Sequence, residues 1–260
     1  RLVVEHNISE LIMVTEALHE QRVAAIATEI YRQWAEQGVR IVLIAGPTSA
    51  GKTTFSKRLA VQLLAQGLRP FTLEMDNYFV DRELTPLDEE GNYDFEALEA
   101  VNLKLFNQDL KMLLAGEKVQ LPHFDFLTGT SGPGRFAQLH ERPIIIIEGI
   151  HGMNPDLVPE IPPEAIFRVY VSVMAQLNID SHNRVPTTDV RMLRRIVRDA
   201  RSRGYKAADT IEVWGRVRRG EKRNVFPYQE NADIMFNSAL SYELAALKPL
   251  AEPLLLQVKA

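Results

Sequence analysis

The stretch "IAGPTSAGKTTF", residues 44–55, decides how the rest of the chain is read. It places Gly46-Pro47-Thr48-Ser49-Ala50-Gly51-Lys52-Thr53 in the spacing G-x-x-x-x-G-K-[ST]. That spacing carries weight only when a strand precedes it and a helix follows. Both are predicted here. Ile41-Val42-Leu43-Ile44 is a short apolar run of the kind that forms a buried strand, and residues from Lys52 to about Gln66 read as a helix closed by Gly67. Glycines let a backbone wrap so that successive N–H groups converge on phosphate oxygens, with the positive end of the helix dipole behind them. Residues 46–54, ending in Thr54, therefore form the expected cradle for a nucleotide's phosphates. Lys52 would bridge the β- and γ-phosphates, and the Thr53 hydroxyl would face Mg²⁺.

Outward from that turn, apolar runs alternate with helical periodicity. Strands are predicted at 71–75, at "KVQLP", at "PIIIIEG" (143–149), at "IFRVYVSV" (166–173) and at "ADIMF" (232–236). Helices are expected over 8–38 (Ser9 as cap, Gly38 as stop), 95–115, 187–203, 207–218 and 241–257, the last bent by Pro249 and Pro253. "TGTSGPG" (128–134) reads as a mobile glycine-rich loop. Strands alternating with helices imply an α/β fold with a parallel sheet covered on both faces. The 260 residues suit one such domain with an appendage.

Composition removes some function classes. Thirty Lys and Arg against 34 Asp and Glu leave a formal net charge of −4, which points away from a nucleic-acid or membrane partner for the whole chain. There is no cysteine, so disulfides and thiolate metal sites are excluded and a reducing cytoplasm is compatible. No apolar run approaches the roughly 20 residues of a membrane span.

A phosphate cradle does not by itself distinguish a kinase from other nucleotide users. Glu148 stands where the apolar run of "IIIIEG" stops, which is where a carboxylate can hold a metal or its waters; the alternative is a solvated strand end. Asp76 follows the strand at 71–75. Ligands gather at the carboxyl ends of such strands, and a carboxylate there can take a proton from an acceptor hydroxyl in line with the γ-phosphate. A turn former or helix cap is the other reading. Tyr78 and Phe79 offer apolar walls for a sugar or base.

The motifs "GPTSAGKTT", "MDNYF", "GNYDFEAL", "VQLPHFDF", "IIIEGIH" and "RMLRRIVRDARSRG" occur in the order of the uridine kinase/phosphoribulokinase family. Over about residues 39–245 the chain resembles its uridine-kinase-type bacterial nucleoside kinases. Some of those follow a segment similar to the amino-terminal part of threonyl-tRNA synthetases. That would make residues 1–38 a helical connector and Arg1 a mid-chain start. The resemblance implies a P-loop NTPase fold with a sheet of about five strands over 39–260, an Arg-rich helical lid at about 187–223, and ATP with Mg²⁺ as cofactors. It also implies a small-molecule acceptor and a cytoplasmic, often oligomeric enzyme.

Carried over by position, the general base falls on Asp76, a ribose-binding carboxylate on Asp94, an aromatic wall on Phe124 and the metal-associated carboxylate on Glu148. Asp94 alternatively caps the helix expected from 95. Arg191, Arg194, Arg195 and Arg198 share a helix face. In the family the segment containing them closes over the transferred phosphate, so Arg194, Arg195 and Arg198 are assigned to catalysis and Arg191 and Arg203 to substrate. A solvated basic face is the ordinary alternative. A second basic run at 216–223 is left without an assignment.

The chain departs from the family where the pyrimidine kinases carry a base-reading histidine. Leu127, Thr128 and Gly129 stand there instead, with His123 displaced. His182 and Asn183 either face the acceptor or form a loop. Three readings follow: phosphorylation of a ribonucleoside 5′-hydroxyl, phosphorylation of another hydroxylated acceptor such as a sugar phosphate, and a non-catalytic ATP-binding regulatory module.

Overall fold

The computed structural model describes residues 7–140, 142–175, 177–178 and 180–259. Five parallel strands form the central sheet: β1 (Ile41–Ala45), β2 (Pro70–Glu74), β5 (Ile144–Glu148), β6 (Ile166–Ser172) and β7 (Ile234–Asn237), in the order β2-β5-β1-β6-β7. Strand residues alternate between two faces, and each face is packed by helices. Val42, Ile44, Ile146 and Val169 join α1 (Ile8–Glu36) and α2 (Lys52–Ala65) in one core. Ile41, Leu43, Ile145 and Ile147 meet α3 (Leu103–Leu114) and a hairpin of β3 (Val119–Asp125) and β4 (Thr130–Ala137) on the other. Helices α4 (Thr187–Ser202), α5 (Ala207–Asn224) and α6 (Glu243–Leu255) pack together. Because the sheet is wholly parallel, the loops after β1, β2, β5, β6 and β7 open on one edge. The site is built there.

Several predicted elements shift. The helix expected from 95 begins at Leu103, because Asn102 caps it by accepting from the Leu105 N–H. Residues 98–100 make a 3₁₀ turn before it. Asp94 therefore caps no helix; its Oδ1 accepts from the Glu96 N–H at 3.1 Å in a local turn. The glycine-rich stretch 128–134 is not a loop but for the most part strand β4. Asp125 accepts from the Leu127 and Thr128 N–H groups, and Gly129, at φ +75°, closes the turn. Pro133 is tolerated because the hairpin has only two strands, leaving edges where no N–H is required. At the amino end, Asn7 caps α1 in place of Ser9.

Helix α1 shares the main core through Val23, Ile26, Ala27 and Ile30, and polar contacts tie its outer part down. Arg58 of α2 pairs with Glu16 at 3.2 Å, and the Tyr242 hydroxyl donates to Glu16. Residues 1–6 of the expected connector lie outside the described residues. Ile30 is fully buried. Ile30→Ala is expected to cost about 2–5 kcal/mol of unfolding free energy, read as a lower denaturation midpoint in urea; a midpoint unchanged from the parent would show that α1 is not part of the cooperative core.

Candidate active site

The turn between β1 and α2 is fixed by close approach. A Cβ on Gly46 would lie 2.0 Å from the Val171 carbonyl oxygen of β6, and Gly51 sits at φ +91° where the helix starts. Ser49 also adopts a positive φ, +56°. The Lys52 ammonium donates to the carbonyls of Gly46 (2.9 Å) and Pro47 (3.3 Å), which folds the side chain back over its own loop. Thr48, Ser49, Gly51, Lys52, Thr53 and Thr54 line a cavity of about 1850 Å³, while Gly46, Pro47 and Ala50 shape the turn behind them.

Four carboxylates surround that ammonium electrostatically. Burial pushes the Lys52 pKa down; Glu148, Asp76, Glu96 and Glu221 oppose it. Glu148, at the end of β5, accepts from the Thr53 hydroxyl at 2.7 Å. Burial pushes its pKa upward, against Thr53 and Lys52. Asp76, in the 3₁₀ turn after β2, also lines the cavity. Asp76 is an exposed residue on the cavity wall, with protein crowded around its carboxylate. Desolvation raises its pKa, while Lys52, Arg203 and Arg198 pull it down. The Thr53–Glu148 pair offers hard oxygen donors of the kind Mg²⁺ takes. Mg²⁺ is ordinarily bound by one or two protein oxygens, with phosphate and water supplying the rest.

One side of the cavity is walled by Phe79, Phe124 and Phe126, whose rings meet edge to face at centroid distances of 5.1–6.4 Å. Asp94 lies opposite the basic helix α5, 3.6 Å from Arg223, beside Glu90–Arg219 and Glu89–Arg223 pairs. The second basic run thus holds the loop that carries Asp94.

Two expected wall and phosphate residues are placed elsewhere. Tyr78 is 1% exposed, donates to Asp109 at 3.0 Å and packs edge-on against Phe106, so it belongs to the core and not to a substrate wall. Arg191 is equally buried. Its Nε donates to the Thr48 carbonyl at 2.9 Å and its Nη2 to Glu221, whose carboxylate also accepts from the Thr48 N–H at 2.7 Å. Its guanidinium braces the phosphate loop against α5 in place of the substrate contact expected of it. Arg194 reaches the cavity but is largely engaged by Glu243, Ser238 and the Ser49 carbonyl. Arg195, Arg198 and Arg203 line the cavity around Asp199. His182 and Asn183 donate backbone N–H groups to Asp180 and form an exposed loop away from the cavity.

Glu96 escaped the sequence reading. It presses against Gly220 of α5, where a Cβ would come within 2.6 Å of its own, and lines the cavity. Burial, and then Glu221, push its pKa up to about 7. A lone glutamate two residues after Asp94 carries no sequence signal; only the packing of α5 gives it one.

The profile of the family described as "Phosphoribulokinase / Uridine kinase family" matches residues 41–245. A uridine kinase of Halobacterium salinarum is 26% identical over 194 residues, covering 74% of this chain and 77% of that protein. A uridine kinase of Chloroflexus aurantiacus is 27% identical over 197 residues, covering 75% and 85%. Among solved structures, the phosphoribulokinase from Rhodobacter spheroides superposes with a TM-score of 0.50 at 15% identity, covering 78% of this chain and 71% of that one, a likeness of fold.

The raised Glu96 pKa has a stability consequence. The folded state binds this proton more tightly than the unfolded chain, so stability is highest below the ordinary glutamate value and falls as pH rises to about 7. The melting temperature of the protein without nucleotide is expected to drop between pH 5 and pH 7.5, and Glu96→Gln to flatten that drop. An identical pH profile in the variant would refute the assignment.

Proposed function

The chain belongs to the phosphoribulokinase/uridine kinase family and is a phosphotransferase acting on an alcohol acceptor; from that premise we propose that it transfers the γ-phosphoryl of ATP to the 5′-hydroxyl of a ribonucleoside. The observation that carries the reading is one arrangement. Asp76 and the Lys52 loop line the same cavity, with the aromatic wall of Phe79 and Phe124 and the Asp94 carboxylate beyond them.

In this mechanism the amides of Ser49 and of residues 51–54, together with the Lys52 ammonium, hold the donor's phosphates; the Thr48 N–H is already taken by Glu221. Thr53 and Glu148 would hold Mg²⁺, which when bound neutralises charge on the phosphate oxygens. Asp76 accepts the proton of the attacking hydroxyl; its crowded surroundings raise its affinity for that proton, while Lys52, Arg203 and Arg198 pull the other way. Asp94 fixes the sugar, with its second oxygen facing Arg223. Arg195, Arg198 and Arg203 face the charge that spreads over the transferred group. The connector role of residues 1–38 and an upstream synthetase-like segment rest on resemblance and belong to the same proposal, as do cytoplasmic residence and assembly into oligomers. Among the described residues no helix is long and apolar enough to cross a membrane.

A second reading, a phosphorylated sugar as acceptor, draws on Arg82, Arg219 and Arg223 at the acceptor end of the cavity. The non-catalytic module gives way, since the family is one of phosphotransferases.

Asp76→Asn tests the base directly. ADP release with a ribonucleoside acceptor is expected to fall by about 10²–10⁴-fold, with ATP affinity within about threefold of the parent. Turnover at the parental rate would remove Asp76 from the mechanism.

A further inference from the structure

Arg82 stands in a 3₁₀ turn at 82–84, is partly exposed and lines the cavity. Two bonds hold it to the turn that joins β3 to β4. Its backbone N–H donates to the Gly129 carbonyl at 2.8 Å, and its Nη2 donates to the Phe126 carbonyl at 2.9 Å. The guanidinium lies over Gly129, where a Cβ would fall 2.8 Å from both Cζ and Nε. A side chain at 129 and this guanidinium would compete for one space, and glycine leaves it to the arginine.

A guanidinium carries five N–H donors and no acceptor. Arg219 and Arg223, also on the cavity wall, are engaged by Glu90, Glu89 and Asp94. The side-chain partner of Arg82 among the described residues is the neutral Phe126 carbonyl, which takes one donor. The others are open to a ligand that offers acceptors.

Position names the ligand. The Asn77 carboxamide, next to Asp76, accepts from the Phe124 N–H at 3.3 Å, and Arg82 meets the same segment two residues further on, at Phe126. The aromatic wall of Phe79, Phe124 and Phe126 thus begins beside the turn of Asp76 and ends at the guanidinium. Phe126 is 57% exposed, which leaves ring surface open to a planar group. An acceptor whose reacting hydroxyl faces Asp76 and whose base lies along that wall brings the far edge of the base to Arg82.

We propose that Arg82 is a specificity-determining residue that reads the acceptor's base, donating to an oxo group at C6 of a purine or C4 of a pyrimidine. The proposal rests on the ribonucleoside reading given above. In a nucleoside those positions lie on the edge away from the sugar. A donor-only group pairs with the oxo oxygen and, in a 6-oxopurine, with the adjacent N7 as well. An amino group at the same position turns its own N–H toward the guanidinium and leaves donors unpaired on both sides. The site takes oxo bases and turns amino bases away.

Inosine and adenosine differ chiefly at this position, as do uridine and cytidine. The parent is expected to favour the oxo member of a pair about 10–100-fold in kcat/KM, mainly through the acceptor KM. Arg82→Met keeps the length of the side chain and removes every donor. Its preference should fall to within about threefold, through loss on the oxo acceptor, with the ATP KM within about twofold of the parent. Arg82→Gln, whose amide both donates and accepts, should reduce the preference in the same direction, and it decides the matter if Arg82→Met fails to fold.

A parent without this preference in the pair it turns over overturns the proposal, as does a preference left unchanged in both variants. A variant that loses oxo and amino acceptors alike also overturns it, since that is the result expected if Arg82 only braces the hairpin turn. In each of these cases ribonucleosides are still phosphorylated, and the acceptor reading of the previous section stands. If the parent phosphorylates no ribonucleoside, that reading itself fails and the base-reading role of Arg82 falls with it.

Discussion

An ammonium held deep in a protein cavity has to be compensated, and much of this site follows from that requirement. Lys52 folds back onto two carbonyls of its own loop. Burial lowers its pKa, and Glu148, Asp76, Glu96 and Glu221 counter the loss. Those carboxylates come from the ends of β5 and β2, from the loop before α3 and from α5, so one charge ties together four separated parts of the chain. The same proximity suits two of them for chemistry. A carboxylate beside the Thr53 hydroxyl can share a metal, and a carboxylate whose desolvation raises its proton affinity can accept a proton.

Rigidity of the phosphate loop has its own supports. Gly46 lies against the backbone of β6, and the Arg191–Glu221 pair clasps the Thr48 peptide from both its N–H and its C=O. Buried pairs of this kind contribute little net stability, because desolvation offsets attraction, but breaking one leaves a stranded charge. Their effect is to fix geometry. Arg194, clasped by Glu243 and Ser238, does similar work at the other side of the loop. The arginine-rich helix is therefore divided: residues facing the phosphate loop brace it, while Arg195, Arg198 and Arg203 face the cavity.

What the sequence made legible is local in origin. The Gly46–Thr53 spacing, the strand before it and the apolar run ending at Glu148 each report backbone conformation or burial within a few residues. The sheet and its two helical faces followed from the alternation of such signals. Features that depend on distant partners were missed. Tyr78 looks like a wall residue until α3 supplies Asp109 and Phe106. Arg191 looks like its neighbours until α5 folds back and presents Glu221. Gly and Pro in 128–134 suggested a loop because composition does not reveal that β3 lies alongside. Glu96 carries no spacing signal; its environment exists only once α5 packs against it.

The proposed transfer requires a nucleoside's primary alcohol to reach the γ-phosphate past Asp76. Phosphorus NMR of the products formed from Mg·ATP and a ribonucleoside measures this directly. A phosphomonoester signal split by the two C5′ protons, growing in step with ADP, is expected. ATP bound but converted only to ADP and inorganic phosphate, with no ester signal from any ribonucleoside, would contradict it.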